Sequence, residues 1–360
     1  MRVSVVGAPG EVGRTLTAHL LRSRLLGPSD ELQLVGHGAE QTDRMLLAIR
    51  VDLLDAFDET APPIAVAPGL EDVRGDVIVM AAGATVSPER PSRRDLAQAN
   101  RPIFEALGSA LARSGSGREV VVVVSNPVEL AVAILARRLD RHRVLGMGAQ
   151  QDSLRFARAV AADAGVARDR VHAWVLGEHG DAIVPLWSDV RVAGLDPDQL
   201  RTTVARIRGA HVLDELGQTI AAARERAFAL VTDDRIREAY AHVEALAPDL
   251  RIAIEPFLTA HCLHSSVNAT ANATLDLVRA LSRGRDSVVG AQVQLAGEVL
   301  GLETVVGVPV IVNAGGWSQV VCPPLAADEK RQVDRAAQTI AQNLAAWTSS
   351  APSHTDPAKA

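Results

Sequence analysis

The sequence predicts an α/β protein: a Rossmann-type doubly wound parallel sheet followed by a mixed α+β C-terminal substrate domain. Two observations indicate this fold class. The chain opens with a short apolar, β-branched run, a glycine-rich turn and a helix-patterned segment. Strand-like runs then alternate with helical stretches as far as about residue 148, and this alternation is typical of right-handed crossovers in a parallel sheet.

The glycine-rich turn is the strongest local motif of the N-terminal half. An apolar run over residues 2–6 leads directly into Gly7-Ala8-Pro9-Gly10-Glu11-Val12-Gly13, and leucines at helical spacing follow. Gly7 permits a tight turn, Gly10 lets the backbone approach a pyrophosphate, and Gly13 allows close packing of helix on strand. Because the helix would present free N–H groups to the phosphates, we predict a dinucleotide site that includes Gly7, Gly10, Glu11, Val12 and Gly13.

The remaining elements of the first half follow the same pattern. Strands are predicted at residues 32–35, 64–67, 77–81, 120–125 and 144–147, with helices over 93–113 and 127–139. Ligands of such sheets gather beyond the carboxyl ends of the strands. The glycine turn, the segment after residue 35, the loop at Gly83 and Ser125-Asn126 all follow predicted strands, so we expect them to converge.

The pattern changes after Gly148. A helix over 151–163 is predicted, then strands at 171–176 and 190–192, a long helical region from about 197 to 281, paired strands at 288–294 and 308–312, and an amphipathic helix over 327–347. These elements divide the chain into a dinucleotide-binding domain (1–148) and a second domain (149–347). The tail over 348–360 is rich in Ala, Pro, Ser and Thr and is predicted to be disordered.

Composition and charge exclude several classes of function. A chain of 360 residues with 48% hydrophobic and 22% charged residues suits a globular protein with an ample core. The net charge of −6 gives no electrostatic basis for binding nucleic acid or an anionic membrane. Cys262 and Cys322 form neither a disulfide framework nor a zinc spacing, and no basic-then-apolar leader precedes the first strand, so we predict a cytoplasmic protein.

Two motifs of the second domain carry chemistry: Gly177-Glu178-His179-Gly180-Asp181 and Asp152-Ser153-Leu154-Arg155. A histidine can exchange a proton at neutral pH, and a buried aspartate can orient it. An arginine one helical turn away matches a carboxylate with two parallel hydrogen bonds. Taken in isolation, a turn histidine and a surface i, i+3 ion pair are the better interpretations of these two motifs. The dinucleotide motif upstream favours the catalytic interpretation.

Together these motifs resemble the lactate/malate dehydrogenase family over about residues 1–347, closest to its malate dehydrogenase-like members. The resemblance rests on further segments in the family's order: Ala81-Ala82-Gly83, Arg93-Arg94-Asp95-Leu96 with Asn100, Ser125-Asn126-Pro127-Val128, Val184-Pro185-Leu186-Trp187-Ser188 and Gly307-Val308-Pro309-Val310. It implies an NAD(P)-dependent 2-hydroxy acid dehydrogenase that acts on a small 2-hydroxy or 2-oxo acid. The family's habit further implies a homodimer or homotetramer.

The resemblance also implies a role for each motif residue. His179 is similar to the family's general acid/base, Asp152 to its orienting partner and Arg155 to the arginine that clamps the substrate carboxylate. Arg93 matches the arginine that polarises the reacting carbonyl when a lid over about residues 84–95 closes, although a solvated loop charge is the alternative. Asn126 matches the asparagine near the substrate oxygen and the nicotinamide, or else is a plain helix cap. The implied cofactor set is completed by Gly36, His37, Ala82, Gly83, Asn100, Ser125 and Asn126.

One departure from the family concerns the cofactor. Gly36 stands at the end of the second strand, where NAD-preferring relatives place an acidic residue that binds the ribose 2′-hydroxyl and repels a 2′-phosphate. Its absence admits either NAD or NADP and favours NADP slightly, with His37 as a weak cation and Arg44 more distant. Replacing Gly36 by Asp is therefore expected to shift preference toward NADH.

A second departure concerns the substrate. Malate enzymes carry an arginine, and lactate enzymes a glutamine, six residues before the equivalent of Arg93. The loop here is one residue longer, so the two ways of counting give Ser87 or Val86. Neither supplies a distal charge, which permits a bulkier or less charged 2-oxo acid unless Arg90 takes part. Ser87, Arg90 and Ser266, near the start of a later pocket helix, are the predicted substrate residues besides Arg155 and Asn126.

The region over about 218–254 is longer than the family normally has, and its extra helical part is either a dimer-facing elaboration or a solvated insertion. His261, Cys262 and His264 lack a fourth ligand at suitable spacing, so no metal site is predicted. Two other functions remain open. NAD-dependent glycosidases share this fold but need a metal held by Cys and His, and a non-catalytic nucleotide-binding homologue would keep the fold without turnover.

Overall fold

The structure is a computed structural model that describes residues 1–36, 40–85, 92–209, 212–263 and 265–349. Three predicted site residues, His37, Ser87 and Arg90, lie outside the described residues, as does His264. Of the predicted tail, Thr348 and Ser349 belong to the last helix and are not disordered; the remainder lies outside the described residues.

The N-terminal half is the predicted doubly wound sheet. Its six strands pair in parallel in the order β3-β2-β1-β4-β5-β6. The elements are β1 Arg2–Val6, α1 Glu11–Arg22, β2 Glu31–Val35, α2 Glu40–Phe57, β3 Ile64–Ala67, β4 Val77–Met80, α3 Arg93–Ser114, β5 Val120–Val123, α4 Val128–Ala136 and β6 Val144–Gly146. Helix α2 is additional to the predicted elements.

The central strands show why this sequence forms a parallel sheet. Strands β4 and β5 read Val-Ile-Val-Met and Val-Val-Val-Val, and every one of these side chains is buried. Such runs without alternation are typical of strands that are covered by helices on both faces. The loops that follow β4 and β5 are therefore carried to one edge of the sheet, as predicted.

The second half extends the same sheet. Strand β11 pairs antiparallel with β6 through Gln292 and Gly146, and β12, β8 and β9 continue the order, with β13 beside β12. The elements are α5 Gly148–Ala164, β7 Val171–His172, β8 Val175–Gly177, β9 Ile183–Pro185, β10 Arg191–Val192, α6 Pro197–Arg208, α7 Leu216–Thr232, α8 Ile236–Glu244, α9 Pro248–Leu263, α10 Val267–Ser282, β11 Ser287–Gln294, β12 Val305–Asn313, β13 Gly316–Val320 and α11 Ala327–Ser349.

The predicted pairing of the two late strands is confirmed, because β11 and β12 pair antiparallel along their length. The single strand predicted over 171–176 is wrong. The chain changes sheets there: β7 pairs with β10, whereas β8 pairs with β12 and β9. The backbone of Trp174, between the two strands, accepts a hydrogen bond from Leu186 N. This change of sheet places the end of β8, and His179 after it, at the edge where the first half ends its strands.

Among the helices that the structure describes, none combines the length and the apolar character that crossing a membrane requires.

Candidate active site

The glycine turn after β1 has the shape that a pyrophosphate requires. Gly7 has φ 86°, and a Cβ there would lie 2.6 Å from the backbone of Ala82. A Cβ on Gly13 would lie 2.7 Å from Ala8 Cα, so helix and turn pack in close contact. Gly10 is exposed and precedes α1, whose first N–H groups receive no side-chain cap. These N–H groups fit the phosphates of a dinucleotide, with Glu11 and Val12 in the same turn.

The end of β2 leaves no room for a side chain. Gly36 is buried, and a Cβ there would lie 2.8 Å from Thr42 Cγ2 and 2.9 Å from Pro68 O. A carboxylate at this position would need the backbone at Pro68 to move. The expectation that replacing Gly36 by Asp simply converts the cofactor preference therefore needs correction, because the same change would also disturb the packing of α2 on β3.

The loops after β4 and β5 are tied together. Ser125 Oγ donates to Ala82 O at 2.6 Å, and Asn100 Nδ2 donates to Asn126 O at 2.7 Å and to Ala84 O at 3.0 Å. Asn100 Oδ1 accepts from Ala84 N and lies 2.8 Å from where a Cβ on Gly83 would be. Asn100, predicted among the cofactor residues, is thus buried and bonded to two backbones. It ties the two loops together from inside, whereas Asn126 is exposed.

His179, Asp152 and Arg155 come together as the motifs predict. His179 Nδ1 lies 2.7 Å from Asp152 Oδ2, and Arg155 Nη1 donates to Asp152 Oδ1 at 3.0 Å. The side chain of Asp152 is 7% exposed and that of Arg155 15%, which contradicts the alternative of a surface ion pair. One carboxylate therefore binds both the imidazole and the guanidinium, and the Nε2 atom of His179 takes no part in this contact.

The Asp152 carboxylate is held in its charged form. Burial raises its pKa, but His179 and Arg155 lower it by more, so that the pKa of Asp152 lies below its usual range. Hydrogen bonds and favourable electrostatic interactions with two partners on one carboxylate explain this direction. A charged Asp152 accepts from Nδ1–H and thereby selects the tautomer in which Nε2 can take a proton.

Helix α10 begins at Val267, and Ser266 immediately before it accepts a hydrogen bond from Arg155 Nη2 at 3.4 Å. The predicted start of a helix near residue 266 is confirmed, and its place at a substrate pocket stays a prediction. Ser266 thus lies beside the arginine that is expected to bind the substrate carboxylate.

Arg93 lies at the start of helix α3 and contacts the backbone of His179. Ser92 caps α3 with its side chain, and Arg93 is the first helical residue. Residues 92–95 of the predicted lid over 84–95 therefore belong to the start of α3. Arg93 Nη1 donates to His179 O at 2.6 Å, and Nη2 donates to Glu129 Oε2 at 3.0 Å. The alternative of a solvated loop charge is wrong, because the guanidinium is bound at the backbone of the histidine.

Family models match two parts of the chain. Residues 1–146 match the model for the lactate/malate dehydrogenase NAD-binding domain, and residues 150–233 match that for the lactate/malate dehydrogenase alpha/beta C-terminal domain. A malate dehydrogenase of Halobacterium salinarum is 31% identical over 354 residues, which cover 94% of this chain and 97% of the relative. The chain belongs to the lactate/malate dehydrogenase family.

Further relatives bear both of the family's names. An L-lactate dehydrogenase of Gloeobacter violaceus is 29% identical over 348 residues, covering 95% of this chain and 92% of the relative. The crystal structure of Cryptosporidium parvum malate dehydrogenase has the same fold, with a TM-score of 0.76 at 22% identity over 97% of this chain and 99% of that one. The chain is thus a 2-hydroxy acid dehydrogenase, an oxidoreductase acting on a CH–OH group, with an NAD-binding domain.

The extended region of this dehydrogenase reaches the site. Arg224 of α7 pairs with Asp181, two residues after His179, at 2.6 Å, and its guanidinium carbon lies 3.6 Å from the centre of the Phe257 ring. Helices α7, α8 and α9 pack on one another, and α9 packs on α5. The segment is therefore not a merely solvated insertion. Within the described residues, no group of three or more His, Cys, Asp and Glu side chains has an arrangement for a metal ion.

Two buried carboxylates beside Arg93 were given no role in the sequence analysis. Glu129 is 1% exposed and Glu178 is 4% exposed, and both face Arg93. For Glu129 a signal exists in the sequence, because it is the only charged residue in the apolar helix Val128–Ala136. A lone carboxylate in such a helix indicates a specific partner, since burying it unpaired is costly.

Proposed function

We propose that this dehydrogenase interconverts a 2-hydroxy acid and its 2-oxo acid in the manner of malate dehydrogenase-like members, with His179 as the general acid/base. The observation that carries the proposal is the single carboxylate of Asp152, which binds His179 Nδ1 at 2.7 Å and Arg155 Nη1 at 3.0 Å. It places a proton acceptor and a carboxylate-binding fork side by side.

The residues divide the work as follows. Arg155, with Ser266 beside it, binds the substrate carboxylate and thereby fixes the position of C2. Neutral His179 accepts the hydroxyl proton at Nε2 while Asp152 stabilises the imidazolium that forms. In the reverse direction, imidazolium Nε2–H returns the proton to the carbonyl oxygen. A dinucleotide held at the glycine turn of Gly7, Gly10 and Gly13 would supply the hydride chemistry at C2.

The cofactor is NAD or NADP, with a slight preference for NADP. The support is Gly36, which leaves the end of β2 without a carboxylate and has no room for one. No negative charge at this position repels a 2′-phosphate. The ratio of kcat/KM for NADPH and NADH measures the preference, and a ratio well below 1 would contradict it.

A panel of 2-oxo acids tests the activity. Oxaloacetate, pyruvate and branched and aromatic 2-oxo acids are offered with NADH and with NADPH, and oxidation of the cofactor is followed by absorbance. His179→Asn is expected to abolish turnover and to leave the dissociation constant of the cofactor largely unchanged. Near-normal kcat in this variant would remove His179 from its role, and an inactive wild type across the panel would favour a non-catalytic homologue.

We also propose a homodimer or homotetramer. Leu47 and Val51, one turn apart on α2, are 55% and 53% exposed, and Met45 on the same helix is 39% exposed. Exposed large apolar side chains on one helix fit an interface between subunits better than solvent. Sedimentation velocity measures the assembly state, and Leu47→Glu should weaken it. A monomer at all concentrations would contradict the proposal. The cytoplasmic location stays a prediction.

A further inference from the structure

We propose that Glu129 is a positioning residue for His179: it holds the histidine from its main-chain side, together with Arg93. The inference rests on the proposed function, because positioning has a consequence only if His179 moves the proton. Glu129 belongs to none of the motifs that identify the site and lies on a different helix from Asp152.

Three contacts form a closed ring. Glu129 Oε1 accepts from His179 N at 2.6 Å, and Glu129 Oε2 accepts from Arg93 Nη2 at 3.0 Å. Arg93 Nη1 in turn donates to His179 O at 2.6 Å. Both polar groups of the histidine backbone are therefore bound by charged side chains, which are themselves paired. Charge-assisted bonds of this kind are shorter and stronger than neutral ones.

The burial of Glu129 argues for a specific task. Its side chain is 1% exposed, and the other residues of α4 from Val128 to Leu135 are apolar and buried. A methylene-rich side chain would fill this position without a desolvation cost. Burial indeed raises the pKa of the Glu129 carboxyl, Arg93 lowers it, and the neighbouring Glu178 raises it again. A carboxyl at this position therefore carries a desolvation cost, and its contact with His179 is what distinguishes it.

Glu178 provides a matched control within the same cluster. It is also buried, and its Oε1 lies 3.5 Å from Arg93 Nη2. Its other contacts go to Ala182 N at 3.2 Å and to Asn343 Nδ2 at 3.4 Å. In contrast to Glu129, it makes no hydrogen bond with a main-chain or ring atom of His179 among those seen in the described residues. A general loss of negative charge near Arg93 therefore affects both variants, whereas a loss of positioning affects only one.

The closed ring of three contacts explains how the imidazole keeps its position. Asp152 binds the imidazole at Nδ1, but the imidazole can still move together with the backbone that follows β8. Glu129 and Arg93 fix that backbone from α4 and α3, which belong to the cofactor-binding half. The imidazole of His179 thereby keeps a fixed position relative to the half of the molecule that matches the NAD-binding domain. An error of about 1 Å in such placement costs on the order of 100-fold in rate.

The experiment compares Glu129→Gln with Glu178→Gln in the full-length protein. The wild type and both variants are assayed by steady-state kinetics with the best acid of the panel, and by the single-turnover rate of hydride transfer. Glu129→Gln is expected to lower the single-turnover rate by about 10- to 100-fold, with the KM of the acid and the dissociation constant of the cofactor within a few-fold of wild type. Glu178→Gln removes a negative charge near Arg93 but no hydrogen bond to His179. Its single-turnover rate is therefore expected to stay within about three-fold of the wild-type rate.

The outcomes separate the inference from the proposed function. A wild-type rate in Glu129→Gln, or equal losses in the two variants, overturns the positioning role while His179→Asn stays inactive. An inactive wild type overturns the proposed function and the inference with it. Urea unfolding shows that each variant is folded under assay conditions. If Glu129→Gln does not fold, Glu129→Leu, which matches the apolar helix, replaces it with the same expected loss.

Discussion

On its ring side His179 is held by Asp152 from α5, whereas on its main-chain side it is held by Glu129 from α4 and Arg93 from α3. The ring side has one carboxylate between two nitrogen partners, the imidazole of His179 and the guanidinium of Arg155. The main-chain side has one cation, Arg93, between two carboxylates, Glu129 and Glu178. The pKa values follow this difference: that of Asp152 is lowered and that of Glu129 is raised.

The contacts on the imidazole of His179 and those on its main chain serve different purposes. A carboxylate that is charged under all working conditions suits the ring side, because it selects the tautomer and stabilises the imidazolium. On the main-chain side, Glu129 shares the guanidinium of Arg93 with Glu178. This arrangement suits Glu129, because its partner on His179 is a neutral N–H group. Under the proposed function, the proton moves at the imidazole, and the backbone contacts set the position of that imidazole.

The largest effect is expected from a change that affects only the contact between Asp152 and the imidazole of His179. Asp152→Asn keeps the shape but presents an amide that can hydrogen-bond the wrong tautomer of His179, so kcat is expected to fall by about 10²- to 10⁴-fold. Binding of the cofactor, measured by fluorescence titration, should stay near that of the wild type. A loss smaller than ten-fold would show that Asp152 does not govern the tautomer.

A smaller effect is expected when the ring is displaced and not deprived of its partner. A Cβ on Gly148 would overlap the Cγ of His179 and lie 2.5 Å from its Cβ. Gly148→Ala should lower kcat by about 10- to 100-fold and the free energy of unfolding by about 1–3 kcal/mol. Gly217→Ala is the control, because no atom lies within 4 Å of its added Cβ. If Gly148→Ala behaves like this control, the packing of the ring does not limit the reaction.

The matching change on the main-chain side should cost less. A Cβ on Gly180 would overlap Nη1 of Arg93 and lie 3.0 Å from Glu178 Oε2. Because the overlapped atom ends a flexible side chain, Arg93 can shift at the expense of its bond to His179 O. Gly180→Ala is expected to lower kcat by roughly 3- to 10-fold, less than the loss from displacing the imidazole itself. A larger loss than in Gly148→Ala would reverse the order of the two sides.

The smallest effect is on the pH dependence of stability. The raised pKa of Glu129 means that the folded chain binds this proton more tightly than the unfolded chain. This group therefore makes the free energy of unfolding rise as the pH falls from the raised pKa toward the ordinary value. Asp152 acts in the opposite direction: its contribution is present above the ordinary pKa and is lost as the pH falls through the lowered one.

Urea unfolding between pH 7 and 3 measures these contributions. Relative to wild type, Glu129→Gln should lose the stabilising trend on mild acidification, and Asp152→Asn should lose the destabilising trend that appears at lower pH. Parallel pH curves for the wild type and both variants would show that neither carboxyl has a shifted pKa.

Local features of the site were predictable from the sequence. The three-residue spacing of Asp152 and Arg155 places them on one face of α5, and the structure shows both bonded to each other. The glycine turn after β1 has the positive φ and the close packing that its pattern indicates. Such contacts depend on neighbours within one or two turns, so their geometry is set by the local backbone.

The sequence alone was enough to predict the parallel sheet of the first half, the glycine turn after β1 and the grouping of His179, Asp152 and Arg155, but not helix α2 or the change of sheet after β7. Only the tertiary structure decided that Arg93 binds the backbone of His179, 86 positions away, and that Glu129 does so from 50 positions away. It also decided that position 36 has no room for a side chain, because that space is filled by Thr42 and Pro68. These contacts join separate elements, and no local pattern records them, because the distance between two side chains is set by how the sheet and its helices pack.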